Sequence, residues 1–379
     1  METPSQRLQP NHAVGGGLPR ERRAAFTPLH FPHRPALSHK GDFFAAKRHE
    51  CRAPFACVML LVAIALCATN LRAGVYPNTP TRLWPNGIIP VEYDNDPSIN
   101  LNQVAVVVQA MNAWMAAANV SFVSRNNEPD YLFIRQGTNG PSYPVAAGYQ
   151  AGQGKHTLNL NFWGNDNDDY LNCKLVFGMA HEVGHALGLS HTHQSTNRNL
   201  FFNVRTNLVT PGNVGNYNID SNSRVWPRNL ADIDSIMSYP LCTFSICTNC
   251  STNLQNCAPI LLQEPYATDW ATNLTCPSGQ CPPPLQCVGQ RNHLSVWDKA
   301  VMSYLYPQSN WRFAEAGSVE ATQTGKFHYP AKTFTNGVTL TPAAGTLYLE
   351  PATYGNSGGV HTKHVTLRAT RVGSAVIRQ

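Results

Sequence analysis

The sequence predicts an α+β protein, and three stretches carry that prediction. Between Leu101 and Met115 the apolar residues recur at spacings of three and four, as they do along one face of a helix. In Thr157–Phe162 apolar residues at 158, 160 and 162 alternate with asparagines at 159 and 161, which is typical of a strand with one wet face. Leu175–Leu189 is apolar enough for a second, central helix. The 379 residues suffice for one large or two medium domains with a real core.

The composition excludes several classes of protein. A charged fraction of 13% with 27 Gly and 28 Pro excludes a coiled coil, and 42% hydrophobic residues argue against wholesale disorder. The formal net charge is +6, but residues 1–52 alone carry nine Lys or Arg against four acidic residues. The other 327 residues hold 19 basic and 18 acidic side chains, so the body of the chain is nearly neutral. We therefore expect no nucleic-acid partner.

The first 73 residues have the order of an export signal. Residues 1–52 are a basic polar leader that we expect to be disordered, and Lys47, Arg48 and Arg52 stand just before an uncharged run. That run, within 53–73, has about 14 apolar residues, fewer than the about 20 that a spanning helix needs. We expect a cleaved signal peptide and a secreted protein. Because a simple signal has no such leader, an uncleaved membrane anchor or a start codon misassigned upstream stay open.

The cysteines agree with export. Of the 11 cysteines, eight follow the apolar run, and seven of those lie between Cys242 and Cys287. An even number at this density predicts disulfides made in an oxidising compartment, although the sequence does not choose among their pairings. The alternative is a structural zinc site, since Cys247-Thr-Asn-Cys250 is a C-x-x-C pair.

The remaining elements follow in order along the chain. Pro85-Asn-Gly is a turn that feeds a strand ending near Tyr93, and Tyr131–Arg135 is a buried strand. An irregular, Asn-rich region spans about 192–293, and a third helix begins at Ser295, where Ser295-x-x-Asp298 has the form of a capping box. From 307 to 379 short β-prone runs of Thr, Gly, Val and Ala predict a β-rich tail.

The second helix carries the chemistry. In His181-Glu182-Val-Gly-His185 the two histidines are four residues apart and return to nearly one face, so both imidazoles can reach one metal ion. Gly188 can end the helix with a positive φ, which would bring His191 back as a third nitrogen ligand. Three nitrogen ligands with an open position indicate one catalytic Zn²⁺ rather than a closed structural site. A chance match to the whole eleven-residue pattern is rare.

These residues and several others resemble the astacin family of zinc endopeptidases, over about 78–306. The resemblance rests on the zinc motif and on five further segments: Arg82-Leu-Trp-Pro-Asn-Gly-Ile-Ile-Pro, Asn197-Arg198-Asn199, Leu200-Phe-Phe-Asn-Val204, Ser235-Ile-Met237-Ser-Tyr239, and Leu294-Ser-Val-Trp-Asp298 ending in Leu305-Tyr306. Matrixins and serralysins share the histidine motif and are the alternative families.

The resemblance implies a two-lobed metzincin fold: a mostly parallel, twisted sheet and the zinc-binding helix in the first lobe, and an irregular second lobe closed by a final helix. The catalytic domain would span 74–306, with a Cys-rich insertion at 240–293. Met237 would form an apolar floor under the histidines, and Tyr239 would be a further zinc ligand that swings away to stabilise the transition state. The alternative for Tyr239 is a packed aromatic residue.

The chain also departs from the family's pattern. Thr192 stands where the family has a glutamate that anchors the processed N-terminus, and Asn197-Arg198-Asn199 replaces an Asp-Arg-Asp. Cys173 matches a family cysteine whose partner is missing from 74–172, so it would pair with the later cluster or remain free. The family's zinc-blocking Gly-Asp is missing between the signal and Arg82.

The expected activity is hydrolysis of peptide bonds in a protein or peptide substrate, by a monomeric enzyme. Glu182 would act as general base toward a zinc-activated water, and the substrate would lie along Lys155–Phe162 as an edge strand. His193 lies outside the motif, so we expect a supporting or solvent-facing role for it. The segment Cys242–Cys287 is either a flap beside the cleft or a plain stabilised loop.

One alternative function and one question about the tail remain from the sequence. The body could be an inert scaffold, with the Cys-rich insertion and the tail serving secreted binding or adhesion; the intact Glu182 argues against this. The tail resembles one or two coils of a right-handed β-helix. Such solenoids need about three repeats to bury a core, so we expect either a small β appendage or the stub of a longer protein.

Overall fold

A computed structural model of the chain describes residues 74–95, 99, 101–137, 143–144, 147–160, 173–226, 232–264, 288–355, 361–370 and 375–378, without the side chains of 143, 144, 173 and 174. All of them fall within one structural unit, Ala63–Gln379. The predicted leader and signal, Phe162, the side chain of Cys173, and Cys276, Cys281 and Cys287 lie outside the described residues. No helix of the described part has the length and apolar content to cross a bilayer.

A five-stranded sheet forms the frame of the first part of the chain. Its strand order is β3-β2-β4-β6-β5, and every neighbouring pair is parallel except β5 with β6. The strands are β2 (Ile88–Tyr93), β3 (Ser121–Ser124), β4 (Tyr131–Gln136), β5 (Tyr143–Pro144) and β6 (Lys155–Leu160). The predicted mostly parallel sheet is thereby confirmed.

The predicted edge strand is wrong in one respect. In the described residues β6 (Lys155–Leu160) lies between β4 and β5, with Tyr143 opposite Asn159 and Pro144 opposite Leu158. The chain thus lays a two-residue strand along the outer side of β6. That strand, β5, is the edge of the sheet.

Two helices pack together beside this sheet. They are α1 (Leu101–Ala117) and α2 (Cys173–Ala186), and their contact includes a hydrogen bond of 2.8 Å from Trp114 Nε1 to Ala180 O. Trp114 is fully buried in the main apolar cluster with residues of both helices and of the sheet. The predicted α2 helix ends three residues earlier than expected, because the chain turns at Gly188, where φ is +109°.

The described residues between α2 and Ser295 are irregular, as predicted. They contain short 3₁₀ turns, a four-residue helix α3 (Leu254–Cys257), and two antiparallel pairs in which β1 (Gly74–Pro77) joins β8 (Ser223–Trp226) and β7 (Phe202–Val204) joins β9 (Ile260–Leu262). Disulfides join Cys242 to Cys250 and Cys247 to Cys257. The alternative of structural zinc at the C-x-x-C pair is therefore wrong, because each of its two sulfurs is bonded to another cysteine.

Helix α4 (Val296–Leu305) begins with the predicted capping box. Ser295 Oγ accepts a hydrogen bond of 2.9 Å from Asp298 N, and Ser295 N donates one of 2.9 Å to the Asp298 carboxylate. The same carboxylate accepts bonds from Ser235 Oγ at 2.6 Å and Ile236 N at 2.9 Å. One buried aspartate thus caps α4 and fixes the turn that precedes Met237.

The tail contains helix α5 (Phe334–Leu340) and stacked parallel strands. Strands β10 (Trp311–Ala314), β11 (Thr346–Leu349) and β13 (Thr366–Ala369) form one parallel sheet, and β12 (Thr353–Gly355) pairs in parallel with β14 (Val376–Arg378). Phe313, Phe327 and Tyr348 belong to the same apolar cluster as Trp226 and Tyr304 of the preceding region. The domain boundary at 306/307 stays a prediction.

Candidate active site

Three histidines converge at the end of α2. His181 and His185 lie one turn apart on the helix, and the chain then reverses at Gly188, whose N–H donates to His185 O at 2.9 Å. The φ of +109° at Gly188 is a backbone conformation that L side chains rarely adopt, so glycine is needed there. The reversal brings His191 back beside the helix. Together these are the one group of His, Cys, Asp or Glu within the described ranges that could hold a metal ion.

The Nε2 atoms of the three rings face one another. His185 Nε2 lies 3.1 Å from His181 Nε2 and 3.0 Å from His191 Nε2. Two nitrogens bound tetrahedrally to one Zn²⁺ at about 2.05 Å stand about 3.3 Å apart, which is close to the spacing found here.

The Nδ1 atoms fix which ring nitrogen carries the hydrogen. His181 Nδ1 lies 2.6 Å from Ile236 O, and His185 Nδ1 lies 2.7 Å from Leu189 O. A carbonyl oxygen only accepts, so each Nδ1 is the donor and each Nε2 presents a lone pair. Lone pairs at 3.0–3.1 Å repel unless a cation lies between them, and the donor set therefore fits a divalent metal.

The surroundings keep these imidazoles neutral. Burial lowers the pKa of His185 to about 4 and lowers the pKa values of His181 and His191 well below their usual range. Metal binding requires neutral imidazole, so the three rings are in the binding form at neutral pH.

Met237 lies under the helix, as the resemblance implied. It is buried, and its sulfur would stand 2.7 Å from a Cβ placed on Gly184. The glycine between the first two histidines thus leaves room for Met237. The turn that carries Met237 also supplies Ile236 O, which accepts the hydrogen bond from His181 Nδ1. One segment therefore packs against the helix and orients one of its histidines.

Glu182 follows His181 directly and is partly exposed. Burial raises the pKa of its carboxyl to about 8, and the nearby Arg291 guanidinium acts in the opposite direction. A carboxyl whose pKa lies near neutrality can both accept and return a proton at physiological pH.

Tyr239 stands beside the triad. Its ring centroid lies 4.3 Å from that of His191 and 4.3 Å from that of His193, and it also contacts Tyr217 and Phe244. Burial raises its pKa to about 12, so the phenol is neutral and can donate a hydrogen bond at pH 7. The side chain is therefore a packed aromatic residue next to the three histidines, and its role as a donor stays a prediction.

His193 and Thr192 face inward behind His191. His193 is fully buried, and its Nε2 lies 3.1 Å from Asn216 O rather than at the triad. Thr192 N donates to Met237 O at 3.1 Å, while Thr192 Oγ1 is buried with no hydrogen-bond partner among the described residues. Arg198 donates to the backbone carbonyls of His193 and Tyr217, which braces this segment.

Two residues next to the site were not singled out from the sequence. Gln194 places its side-chain oxygen 2.7 Å from His191 Nδ1. Arg291, partly buried, donates to Ser238 O at 3.1 Å and to Gly289 O at 3.0 Å, beside the segment that carries Tyr239. A glutamine three residues after the last histidine is a signal that could have been read. Arg291 gave none, because its closeness depends on the folding of a distant segment.

Known proteins resemble this chain over the same region. The model of the Astacin peptidase family matches residues 77–258. High choriolytic enzyme 1 of Oryzias latipes is 26% identical over 222 residues, which are 58% of this chain and 67% of that protein. Zinc metalloproteinase nas-12 of Caenorhabditis elegans is 30% identical over 156 residues, 41% of this chain and 36% of its own length. Tolloid-like protein 2 of Mus musculus is 28% identical over 165 residues, which are 43% of this chain and 15% of that protein.

Among solved structures, that of high choriolytic enzyme 1 aligns with a TM-score of 0.44 and 23% identity, covering 60% of this chain and 96% of the other. The chain spans about a third of nas-12 and about a seventh of Tolloid-like protein 2.

Proposed function

Through residues 77–258 the chain belongs to the astacin peptidase family of zinc metalloendopeptidases, with an α+β metzincin fold, and we propose that it hydrolyses peptide bonds of protein substrates outside the cell. The observation that carries the proposal is the convergence of three Nε2 lone pairs at the end of the helix that also carries the partly exposed Glu182, directly after His181. That combination is what metal-assisted hydrolysis requires.

His181, His185 and His191 hold the metal in this proposal. A zinc ion bound there supplies Lewis-acid polarisation of a carbonyl and lowers the pKa of water. The contribution of the protein is to keep the three imidazoles neutral and aimed at one point, through the Nδ1 contacts to Ile236 O and Leu189 O and through burial.

Glu182 moves the proton. It accepts a proton from the attacking water and passes it to the nitrogen of the leaving amine, so that the peptide bond breaks without a free amide anion. Burial raises the pKa of Glu182 in the metal-free protein, and a zinc ion bound next to it would act in the opposite direction and favour the base form that accepts the first proton.

Tyr239 stabilises the developing negative charge. Its neutral phenol donates a hydrogen bond to the oxygen of the carbonyl under attack, and such donors are commonly worth about 2.7–4 kcal/mol. The ring packing against His191 and His193 supports this role, because it limits the positions that the hydroxyl can take.

The substrate binds in extended form along β5. This strand lies at the edge of the sheet and against α2, the helix with the first two histidines. An extended peptide can add to such an edge through backbone hydrogen bonds, in which Pro144 can take part only as an acceptor.

Export and processing complete the proposal. The apolar segment within 53–73 and the two disulfides both favour an oxidising compartment outside the cytosol. Membrane attachment follows only if that segment stays as an anchor. The monomeric state and the lack of a nucleic-acid partner remain predictions from the sequence.

The alternatives from the sequence are not favoured. The matching family model is that of astacin rather than of a matrixin or serralysin. An inert scaffold for binding or adhesion would not need Glu182 beside the intact histidine group.

The test compares the exported protein with its Glu182→Gln variant, using casein hydrolysis and metal content. We expect one zinc per chain in both proteins, and a loss of hydrolysis in the variant of about 100- to 10,000-fold. Glu128→Gln changes a carboxylate between β3 and β4 that accepts from Asn126 N, and as the matched control it should leave hydrolysis unchanged. A parent protein that binds zinc but cleaves nothing would favour the inert scaffold, and one that binds no zinc would overturn the proposal.

A further inference from the structure

The third histidine is held differently from the other two. His181 and His185 direct their Nδ1 atoms at backbone carbonyls, whereas His191 directs its Nδ1 at a side chain, the amide of Gln194, at 2.7 Å. A backbone carbonyl can only accept a hydrogen bond. A primary amide can present either an oxygen or an NH₂ group. The side chain at position 194 therefore decides whether His191 Nδ1 meets an acceptor or a donor, whereas any residue would supply the backbone carbonyls that His181 and His185 meet.

We propose that Gln194 is a positioning residue that sets the tautomer and the orientation of His191 and thereby the affinity of the site for zinc. The inference rests on the proposed function, because it assumes that His191 Nε2 binds the metal. With Gln194 Oε1 as acceptor, the hydrogen of the neutral ring stays on Nδ1 and the Nε2 lone pair faces His185 Nε2, 3.0 Å away.

The backbone holds Gln194 in place for this task. Gln194 closes the 3₁₀ turn Thr192–Gln194, with its N–H donating to His191 O at 3.1 Å. Its own carbonyl accepts a bond of 2.8 Å from Asp220 N, and the Asp220 carboxylate accepts one of 3.2 Å from Ser190 Oγ. The side chain therefore starts from a backbone that is fixed on both sides, next to the residue it supports.

Loss of this acceptor has a defined consequence. Without Gln194 Oε1 the Nδ1 hydrogen of His191 has no partner, so the ring can turn or move its hydrogen to Nε2, where it blocks metal binding. Removing a hydrogen-bond partner of a metal-binding histidine typically lowers the metal affinity or the activity by about 10- to 100-fold.

The experiment measures the zinc dissociation constant by competition with a chelator of known affinity, for the full exported protein and three variants. Gln194→Leu removes the acceptor, and Gln194→Asn withdraws it by one methylene, so we expect zinc to bind about 10- to 100-fold more weakly in both. Gln194→Glu restores an acceptor that cannot present an N–H group, and its charge strengthens the bond, so we expect affinity equal to or above that of the parent.

Gln263→Leu is the matched control. Gln263 also uses its side-chain amide, donating to Asn199 O at 2.8 Å and Phe202 O at 3.3 Å, but it contacts none of the three histidines. Its zinc affinity should equal that of the parent.

Three results would contradict the proposal: parent-like zinc affinity in Gln194→Leu, parent-like affinity in Gln194→Asn, or failure of Gln194→Glu to recover what the other two lose. The Asn and Glu variants decide the question if the Leu variant does not fold. A parent that binds zinc without hydrolysing protein would remove the proposed function alone, since the affinity comparison needs no activity.

Discussion

Met237 and Gly184 are matched in shape: a Cβ on Gly184 would lie 2.7 Å from the sulfur of Met237 and 3.0 Å from Trp114 Cζ2. The second variable position of the histidine motif is therefore occupied by glycine for a packing reason. The turn that carries Met237 can pack this closely against α2 only because residue 184 has no side chain.

Gly184→Ala should therefore destabilise the protein. Overpacking of this kind costs about 1–3 kcal/mol, and the shift of Met237 should also weaken zinc binding. Gly178→Ala on the same helix is the control, because a Cβ there meets nothing within 4 Å; better helix propensity should raise its stability by about 0.5–1 kcal/mol. Urea unfolding measures both, and equal stabilities for the two variants would contradict the packing argument.

Asp298 should matter for the site although it lies on α4. Asp298→Ala removes the acceptor of Ser235 Oγ, Ile236 N and Ser295 N at once. Unsatisfied buried donors cost about 1–3 kcal/mol each, so we expect unfolding to become easier by about 3 kcal/mol or more. Lys299→Ala, an exposed neighbour, should change stability by less than about 0.5 kcal/mol. If thermal unfolding of Asp298→Ala matched that of the control, the carboxylate would not fix this turn.

Tyr239→Phe tests the donor role apart from the packing role. The ring contacts with His191 and His193 persist in the variant, while the hydroxyl is lost. We expect kcat/KM to fall about 100- to 1,000-fold at unchanged zinc content. Tyr217→Phe, which loses a hydroxyl that donates to Thr243 O, should keep nearly full activity. Equal kcat/KM values in the two variants would assign Tyr239 to packing alone.

His328 should make stability depend on pH. The pKa of His328 is lowered to about 4, mainly by burial. The hydrogen bond to Pro77 O acts in the opposite direction, Arg224 lowers the pKa further, and Glu320 raises it. The unfolded chain takes up a proton as the pH falls through about 6.5, and the folded chain does so only near 4. The contribution of His328 to the free energy of unfolding is therefore constant above about pH 6.5. It is lost between about pH 6.5 and pH 4, and the total loss is about 3 kcal/mol.

His328→Gln removes this dependence while keeping a donor for Pro77 O, which accepts from His328 Nε2 at 3.0 Å. Between pH 7 and pH 5 the parent should lose about 2 kcal/mol more than the variant in urea unfolding. Parallel losses in the two proteins would show that His328 titrates normally in the folded state.

The parts of the site that the sequence predicted share one property, namely that they are local. His181, His185 and His191 lie within eleven positions, and helix geometry with one glycine reversal brings them together. The capping box at Ser295 is local in the same way and is confirmed.

The parts that could not be predicted depend on distant segments. β5 consists of Tyr143–Pro144 and exists only because β6 pairs with it; a proline in a two-residue run gives no strand signal. The partners of Cys242 and Cys247 required the structure, because eight cysteines allow 105 pairings. Arg291 reaches Ser238 across 53 positions of sequence.

The shared aromatic cluster of Trp226, Tyr304, Phe313, Phe327 and Tyr348 has a consequence for anyone who shortens this protein. A cut after α4 would leave Trp226 and Tyr304 facing water on one fragment and Phe313 and Tyr348 on the other. The parallel strands of the tail thus cover apolar side chains of the preceding region, and recombinant protein that lacks these strands should be prone to aggregate.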